Sequence, residues 1–324
     1  MQWAGVGLRS VAAARTLGDA RMKIALLFPG QGAQYAGFLH ALPDHAAVHE
    51  TLREASELLG YDALTLDSEM VLRSTVSTQI ALLIAGAAFV RFCAANEIQW
   101  IAVAGMSVGA YAAAIAAGAV EFPTALVMVR RRAELMEAAF AAGMHGMAAI
   151  DGLRPGIIKQ LLQGTDVVIA NHNSATQHVL AGERTELELL LQRSLAAGAV
   201  TAKLLPIAVA SHTAVLLSAA EELLDFAHQL PFSSARIPMY SNRTARPLTT
   251  ANAIREELAL NMAHPVRWYD TVTALGGLGV QLLMEAPPGH TLTRLAVETL
   301  PDVSALAVGE MRWDVLLRAA RRAS

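Results

Sequence analysis

Short apolar runs alternate with longer helical patterns along the first part of the chain. Residues 23–28 (KIALLF) form an apolar run that stops at a Pro-Gly pair, which is typical of a buried parallel strand. Residues 46–59 follow a helical period, and residues 77–95 form a strongly apolar helix. Residues 98–104 predict the next strand, and residues 108–117 predict an Ala-rich helix. Strands that alternate with helices in this way indicate an α/β fold with a parallel sheet.

The pattern changes in the middle of the chain, where short strand-like runs are separated by two helices. The predicted strands cover residues 147–150, 167–169, 178–181 and 203–208, and the predicted helices cover residues 155–162 and 186–197. This order suggests a small βαββαβ-like insert. After residue 212 the chain returns to long helices and short buried strands.

These patterns predict one large α/β domain that is interrupted by a smaller α+β subdomain. The large domain comprises residues 22–143 and 213–324, with helices on both faces of its sheet, and the subdomain comprises residues 144–212. Residues 1–21 are rich in Ala and Arg and poor in acids. We interpret them as an N-terminal extension that is expected to be disordered, and a transit peptide is the alternative.

The composition is apolar, with 54% hydrophobic and 16% charged residues, so a membrane span has to be considered. Residues 98–120 carry no charge and are long enough to cross a bilayer. They consist largely of Ala and Gly and contain a Gly-rich turn, so we interpret them as a buried strand that leads into a buried helix. A net charge of −3 gives no basic surface of the kind that nucleic acids require. We expect neither a membrane nor a nucleic acid as partner.

The chain has one cysteine, Cys93, so it cannot form an internal disulfide. This fits a reducing compartment, and we expect a cytoplasmic location. His45 and His49 are spaced for one helix face and could hold a metal. The sequence offers no third ligand beside them, so we predict no metal site.

Two Gly-rich segments follow predicted strands and are candidates for chemistry. Residues 105–109 (GMSVG) lie where a strand turns into a helix, and a nucleophile elbow needs small residues on both sides of its serine. The helix start offers N–H groups to a developing oxyanion. Residues 28–34 (FPGQGAQ) could present a further N–H, and they lack the Lys and Ser/Thr of a phosphate-binding loop. An ordinary Gly-rich turn is the alternative for the pentapeptide taken alone.

Further motifs follow these two segments in a fixed order. They are Arg130–Arg132 with Met136, GMAAI at 146–150, NHNS at 171–174, Ser211-His212, Asn261 in NMAHPVRW, and EAPPG at 285–289. Together they resemble the malonyl-CoA:acyl carrier protein transacylases and the acyltransferase domains of polyketide synthases, over nearly everything from residue 22 onward. Within that family, residues 105–119 and SNRTARP at 241–247 are most similar to the epsilon subunit of malonate decarboxylase, which also lacks the usual Glu at position 110.

The resemblance implies a fold, in which a hydrolase-like large domain carries a ferredoxin-like subdomain. It also implies a set of catalytic residues. Ser107 would be the nucleophile that forms a malonyl ester, and His212 would take its proton. The backbone carbonyl of Asn261 would orient the imidazole, in the place that an Asp takes in many triads. The oxyanion would be bound by the N–H groups of Gln31 and Val108.

The resemblance also assigns substrate-binding residues. Arg132 would pair with the free carboxylate of malonyl, because a planar guanidinium matches a carboxylate fork. Asn173 and Gln177 would be polar residues of the pocket. Two positions depart from the family: Met106 replaces a His that most relatives carry, and Ser211 replaces the Phe of malonyl-selective polyketide domains. Ser211 would leave room for an α-methyl, yet we expect malonyl rather than methylmalonyl.

The expected function is the transfer of malonyl from malonyl-CoA, through a seryl ester, to the thiol of an acyl carrier protein. The carrier would be the malonate decarboxylase carrier subunit, with a phosphoribosyl-dephospho-coenzyme A arm. We expect no bound cofactor, and malonyl-CoA as substrate. One alternative is the transacylase of fatty acid or polyketide synthesis. Another is a serine esterase or hydrolase, which would have no use for Arg132.

Overall fold

The structure, a computed structural model, describes residues 22–140, 143–207 and 209–310. The first part of the chain forms β1 (Ile24–Phe28), α1 (Ala46–Leu59), α2 (Thr75–Ala95), β2 (Ala102–Gly105), α3 (Gly109–Ala116) and α4 (Phe122–Ala138). The middle part forms β3 (His145–Asp151), α5 (Pro155–Leu161), β4 (Val168–His172), β5 (His178–Glu183), α6 (Arg184–Ala196) and β6 (Thr201–Leu204). The last part forms α7 (Leu217–His228), β7 (Met239–Tyr240), β8 (Pro247–Leu248), α8 (Ala251–Leu260), α9 (Trp268–Gly277), β9 (Leu282–Glu285), α10 (Thr291–Thr299) and β10 (Ser304–Ala307).

The large sheet has six strands in the order β10-β9-β1-β2-β7-β8. Its strands are parallel except for the edge strand β8, which runs antiparallel to β7. The pairing of β1 with β2 ends where Phe28 lies opposite Gly105. Because parallel strands end at one edge of a sheet, the loop after β1 and the turn after β2 meet there. The N–H of Met106 donates to the Phe28 carbonyl oxygen at 2.9 Å, which joins the two segments.

Helices cover both faces of the large sheet. On one face lies the larger apolar cluster, where α2 packs against α1, α3 and α4. On the other face, α9 and α10 cover a smaller cluster that includes Leu27, Trp268 and Leu295. Among the described residues, α2 is the one helix that is long and apolar enough to cross a membrane, and most of it is buried in the protein. Such burial is typical of a core helix.

The small sheet has the order β4-β5-β3-β6 and is antiparallel throughout. With α5 and α6 it forms the βαββαβ arrangement of a ferredoxin-like unit. It has an apolar cluster of its own around Ile150, Leu180 and Leu187. The His172 N–H donates to the Val266 carbonyl at 2.9 Å, so β4 is hydrogen-bonded to the segment that precedes α9.

The predicted fold class is confirmed, with one correction: the large sheet is mixed rather than parallel. The extra strand β8 has only two residues and therefore no periodic pattern. The strand predicted at 203–208 is shorter and earlier, because β6 pairs with β3 only over Thr201–Leu204 and Pro206 has no N–H to continue the ladder. The strand predicted at 98–104 begins later, at Ala102, where its pairing with β1 begins.

The domain boundaries stay a prediction. All four strands of the small sheet lie between residues 145 and 204, inside the predicted subdomain of residues 144–212. The charge-free stretch of residues 98–120 contains β2 and α3, as expected. The predicted extension at residues 1–21 lies outside the described residues.

Candidate active site

Ser107 lies on the sharp turn between β2 and α3, with a backbone φ of 52°. The glycines on each side make this turn possible. A Cβ atom at Gly105 would lie 2.1 Å from the Gly109 carbonyl, and a Cβ atom at Gly109 would lie 2.2 Å from the Phe28 carbonyl oxygen. A side chain at either position would therefore collide with backbone. The turn presents the serine hydroxyl at the edge where β1 and β2 end, as in a nucleophile elbow.

The imidazole of His212 lies beside this hydroxyl, although the two residues are 105 positions apart. Its Nε2 is 2.9 Å from Ser107 Oγ. Its Nδ1 is 2.8 Å from the carbonyl oxygen of Asn261 and 3.0 Å from that of His264. Carbonyl oxygens only accept hydrogen bonds, so Nδ1 carries the proton and Nε2 presents a lone pair to the serine hydroxyl.

The environment of His212 favours its neutral form. Burial and the positive charge of Arg132 lower the pKa of His212 to about 4, although the carbonyls of Asn261 and His264 act in the opposite direction. An imidazole with this pKa is uncharged at neutral pH. It is therefore in the form that can accept the proton of Ser107 during attack.

Arg132 reaches the same hydroxyl from α4. Its Nη2 donates to Ser107 Oγ at 3.1 Å, and its Nη1 donates to Gln79 Oε1 on α2 at 2.5 Å. The side chain is only 1% exposed, and its Nε has no hydrogen-bond partner in the described part of the chain. Burial lowers the pKa of Arg132, and no carboxylate in the described part of the chain lies within ion-pair distance of it. We call Ser107, His212 and Arg132 the serine cluster.

The buried guanidinium has an energetic consequence. Removing a cation from water costs several kcal/mol unless an anion and hydrogen bonds compensate. Gln79 and Ser107 supply neutral partners only. The serine cluster therefore contains a positive charge that is suited to a carboxylate.

The two predicted oxyanion donors lie at the same edge of the sheet. Val108 directly precedes α3, and the loop that carries Gln31 packs against the elbow through Phe28 and Met106. Within residues 22–140, 143–207 and 209–310, the N–H groups of Gln31 and Val108 donate to no other protein group. Their role as oxyanion donors stays a prediction that this arrangement supports.

The other predicted pocket residues lie between β4 and β5. Asn173 Nδ2 donates to Gln177 Oε1 at 3.2 Å, and Gln177 Nε2 donates to Asp151 Oδ2 at 3.3 Å. Neither side chain hydrogen-bonds to the serine cluster in the part of the chain that is described. Asn173 Oδ1 is buried and has no partner. A substrate-binding role of the two residues stays a prediction.

The two positions that depart from the family pattern are accommodated differently. Met106 is partly buried and packs against the apolar cluster beneath α9 and α10. Ser211 is buried, and its backbone N–H donates to the Val209 carbonyl at 3.0 Å. Neither position alters the contact between Ser107 and His212.

A cavity of about 670 Å³ opens between the subdomain and the segments 243–244 and 264–270 of the large domain. Its lining includes Lys159 and Ser174 from the subdomain, and Arg243, His264 and Arg267 from the other side. The carbonyl of His264 is one of the two that bind the His212 ring, so the cavity adjoins the cluster. Asp270 also lines the cavity and pairs with Arg267 at 2.8 Å, and Arg243 pairs with Glu257 at 3.3 Å, so part of the positive charge is already balanced. Lys159, Arg243 and Arg267 still leave the lining positive on balance, which suits an anionic ligand.

His45 and His49, which were considered as metal ligands, each contact a different group of the protein. The His45 ring caps α1 by accepting the Ala47 N–H at 3.2 Å, and His49 pairs with Asp44 at 3.1 Å. No group of three or more His, Cys, Asp or Glu side chains that could hold a metal occurs among the described residues.

Three contributors were not predicted from the sequence. Gln79 could have been noticed, since it is a polar residue in a strongly apolar helix. Asn242, which accepts the Ser107 N–H, lies in the SNRTARP segment, which was noted without a role. The contact of the His264 carbonyl could not be predicted, because every residue has a backbone carbonyl.

Fold and site together define an acyltransferase. The chain belongs to the acyl transferase domain family, whose model matches residues 25–322. It is 35% identical to the malonyl CoA-acyl carrier protein transacylase of Salmonella typhimurium over 297 residues, which cover 89% of this chain and 96% of that protein.

Solved structures show the same fold. An acyl carrier protein S-malonyltransferase from Vibrio cholerae O1 biovar eltor is 35% identical, with a TM-score of 0.84 over 91% of this chain and 99% of that one. A malonyl-transacylase in complex with a type II polyketide acyl carrier protein is 34% identical, with a TM-score of 0.87 over 93% of this chain and 100% of that one.

Proposed function

We propose that the chain transfers malonyl from malonyl-CoA to the thiol of an acyl carrier protein through an ester on Ser107. One observation carries this proposal: the buried Arg132 guanidinium, which has no carboxylate partner among the described residues, lies 3.1 Å from Ser107 Oγ. An acyl group that is bound to Ser107 and ends in a carboxylate would bring the missing anion to the guanidinium. An acetyl group would leave the cation unpaired.

The reaction has two transfer steps with one proton carrier. Ser107 Oγ attacks the thioester carbonyl carbon while His212 Nε2 takes the hydroxyl proton. The C–S bond breaks, and the coenzyme A thiolate leaves with that proton. The thiol of the carrier arm then attacks the ester and gives its proton to His212, and the C–O bond breaks as Ser107 recovers the proton. The N–H groups of Gln31 and Val108 would bind the oxyanion in both steps.

Arg132 links substrate charge to the base. Its charge lowers the pKa of His212, which opposes formation of the imidazolium during attack. A malonyl carboxylate that pairs with Arg132 would offset that charge, so His212 would hold the proton more easily. The site would therefore favour carboxylated acyl groups both in binding and in proton transfer.

The cationic cavity supports a phosphate-bearing arm as the second ligand. Lys159, Arg243 and Arg267 line the cavity together with Asp270, so its lining is positive on balance, and coenzyme A and carrier-protein arms both carry phosphate groups. The relatives named above act on acyl carrier proteins, and one was solved in complex with one. These findings support an acyl carrier protein as the partner, and we propose a cytoplasmic location.

A second candidate is the epsilon subunit of malonate decarboxylase. It is favoured by the similarity of residues 105–119 and 241–247 to that subunit, including Ala110, which is fully buried on α3. The two candidates share the chemistry at Ser107 and differ in the carrier. A serine esterase is less well supported, because it would have no use for a buried guanidinium at Arg132.

The test is intact-protein mass spectrometry after mixing with malonyl-CoA or acetyl-CoA. We expect a malonyl adduct on the wild type, little acetyl adduct, and neither on Ser107→Ala, whereas Ser218→Ala on α7 serves as the matched control that keeps the adduct. The charged enzyme is then offered a phosphopantetheine carrier protein and the decarboxylase carrier subunit. Transfer to one of them assigns the carrier, and a wild type that forms no malonyl adduct would refute the proposal.

A further inference from the structure

The side-chain amide of Asn242 bridges the two ends of the turn that carries Ser107. Its Oδ1 accepts the Ser107 N–H at 2.8 Å, and its Nδ2 donates to the Gly105 carbonyl at 2.8 Å. An N–H can only donate and a carbonyl can only accept, so one orientation of the amide satisfies both. Asn242 is buried, so water does not compete for these hydrogen bonds.

Glu257 of α8 fixes the backbone of Asn242 and the side chain of the preceding Ser241. Its Oε1 accepts the Asn242 N–H at 2.7 Å, and its Oε2 accepts the Ser241 hydroxyl at 2.6 Å. The same carboxylate pairs with Arg243 Nε at 3.3 Å. Burial raises the pKa of Glu257, while these donors and the Arg243 charge oppose that rise. The carboxylate is buried and connected on each side, which is the condition under which a polar network is rigid.

We infer that Asn242 is a positioning residue that sets the backbone of the nucleophile. A φ of 52° is unfavourable for a serine and persists only where the surroundings impose it. Asn242 ties the residue to Gly105 across that turn. It also occupies the Ser107 N–H, so this group is not available as an oxyanion donor, which agrees with the predicted donors Gln31 and Val108. The inference rests on Ser107 being the proposed nucleophile.

The chemistry of the bridge requires an amide. Leucine has nearly the same shape as asparagine but can neither accept from Ser107 nor donate to Gly105. Asn242→Leu therefore removes both hydrogen bonds without adding charge near His212. Asn242→Ala removes them with a smaller side chain and serves if leucine prevents folding.

Thr271 of α9 offers a matched control, because its hydroxyl contacts Ser241, the residue before Asn242. The Thr271 hydroxyl is buried and donates to the carbonyl oxygens of Ser241 and Arg267, at 3.4 and 3.0 Å. Thr271→Val removes these bonds and leaves the elbow untouched. It reproduces the loss of buried hydrogen bonding beside Asn242 without a loss of contact to Ser107.

The experiment compares the four proteins by thermal unfolding, by the rate at which a fluorophosphonate labels Ser107, and by kcat and KM for transfer from malonyl-CoA. We expect both Asn242 variants to fold and to lose on the order of 100-fold in labelling rate and kcat, the size of effect that a small displacement of a reacting group produces. KM should not change. Thr271→Val should be destabilised while it keeps the wild-type labelling rate and kcat.

Folded Asn242 variants that label at the wild-type rate would overturn the inference. So would a Thr271→Val protein that loses labelling to the same extent, because the effect would then be general destabilisation. Labelling does not depend on malonyl. A wild type that is labelled but takes no malonyl would refute the proposed substrate and leave the role of Asn242 open to the same measurement.

Discussion

Replacing Arg132 by alanine should abolish the preference for malonyl over acetyl. A guanidinium has five N–H donors, and Arg132 uses one on Gln79 and one on Ser107. Three donors, including the unpartnered Nε–H, are left for a carboxylate. The substitution removes all of them together with the buried charge.

The size of the effect follows from the hydrogen bonds that are lost. A hydrogen bond to a charged group contributes about 1.5–3 kcal/mol, so a two-pronged contact with malonyl contributes about 3–6 kcal/mol. Each 1.4 kcal/mol is a factor of about ten, so the ratio of malonyl to acetyl reactivity should fall by about 10²–10⁴. Acetyl transfer itself should be retained, because Ser107 and His212 keep their contact.

The assay measures kcat/KM for malonyl-CoA and for acetyl-CoA, with intact mass as a direct count of acylated protein. Arg131→Ala is the matched control. Arg131 is the preceding residue of α4, but it is partly exposed and pairs with Glu222. It should leave the ratio unchanged. The reasoning is refuted if Arg132→Ala keeps the wild-type ratio, or if Arg131→Ala loses it equally.

Two further predictions concern the base and the elbow. Because the pKa of His212 is lowered to about 4, the rate of fluorophosphonate labelling should hold as pH falls below 6.5 and decline only near pH 4. Arg132→Ala removes a charge that lowers the pKa of His212, so the labelling rate of this variant should decline at a higher pH. A midpoint of about 6.5 in the pH profile of the wild type would contradict the lowered pKa of His212. Gly109→Ala places a Cβ 2.2 Å from the Phe28 carbonyl oxygen and should cost about 3 kcal/mol or more in thermal or urea unfolding, with loss of labelling. Gly156→Ala, which meets no atom within 4 Å, should behave like the wild type, and equal stability of the two variants would be inconsistent with this packing.

Elements with a strong local pattern were predicted well. The limits of α1 agree with the sequence pattern, because His45 caps its first turn and Gly60, with φ of 78°, ends it. The strand β8 was missed because its two residues are strands only through pairing with β7. The strand β2 is likewise shorter than predicted: the Ile101 N–H donates to the Ile24 carbonyl at 2.8 Å, but residue-to-residue pairing with β1 begins only at Ala102.

The site was predicted as far as side chains identify it. Ser107, His212 and Arg132 were expected together, and the structure places them within hydrogen-bond distance. The second carbonyl on the imidazole, from His264, could not be predicted, because backbone groups do not depend on residue type. Asn242 was likewise invisible, since its partners are a backbone N–H and a backbone carbonyl.

The unpaired guanidinium of Arg132 also has a consequence for the protein at rest. A buried cation with unused hydrogen-bond donors attracts any small anion that fits, whether or not that anion can react. Such an anion stabilises the folded chain by an amount that grows with the logarithm of its concentration once the site is filled, and it competes with the thioester. We therefore expect the apparent affinity for substrate to depend on the salts in solution, and we expect malonate, a short dicarboxylate, to inhibit by occupying the space of the acyl group.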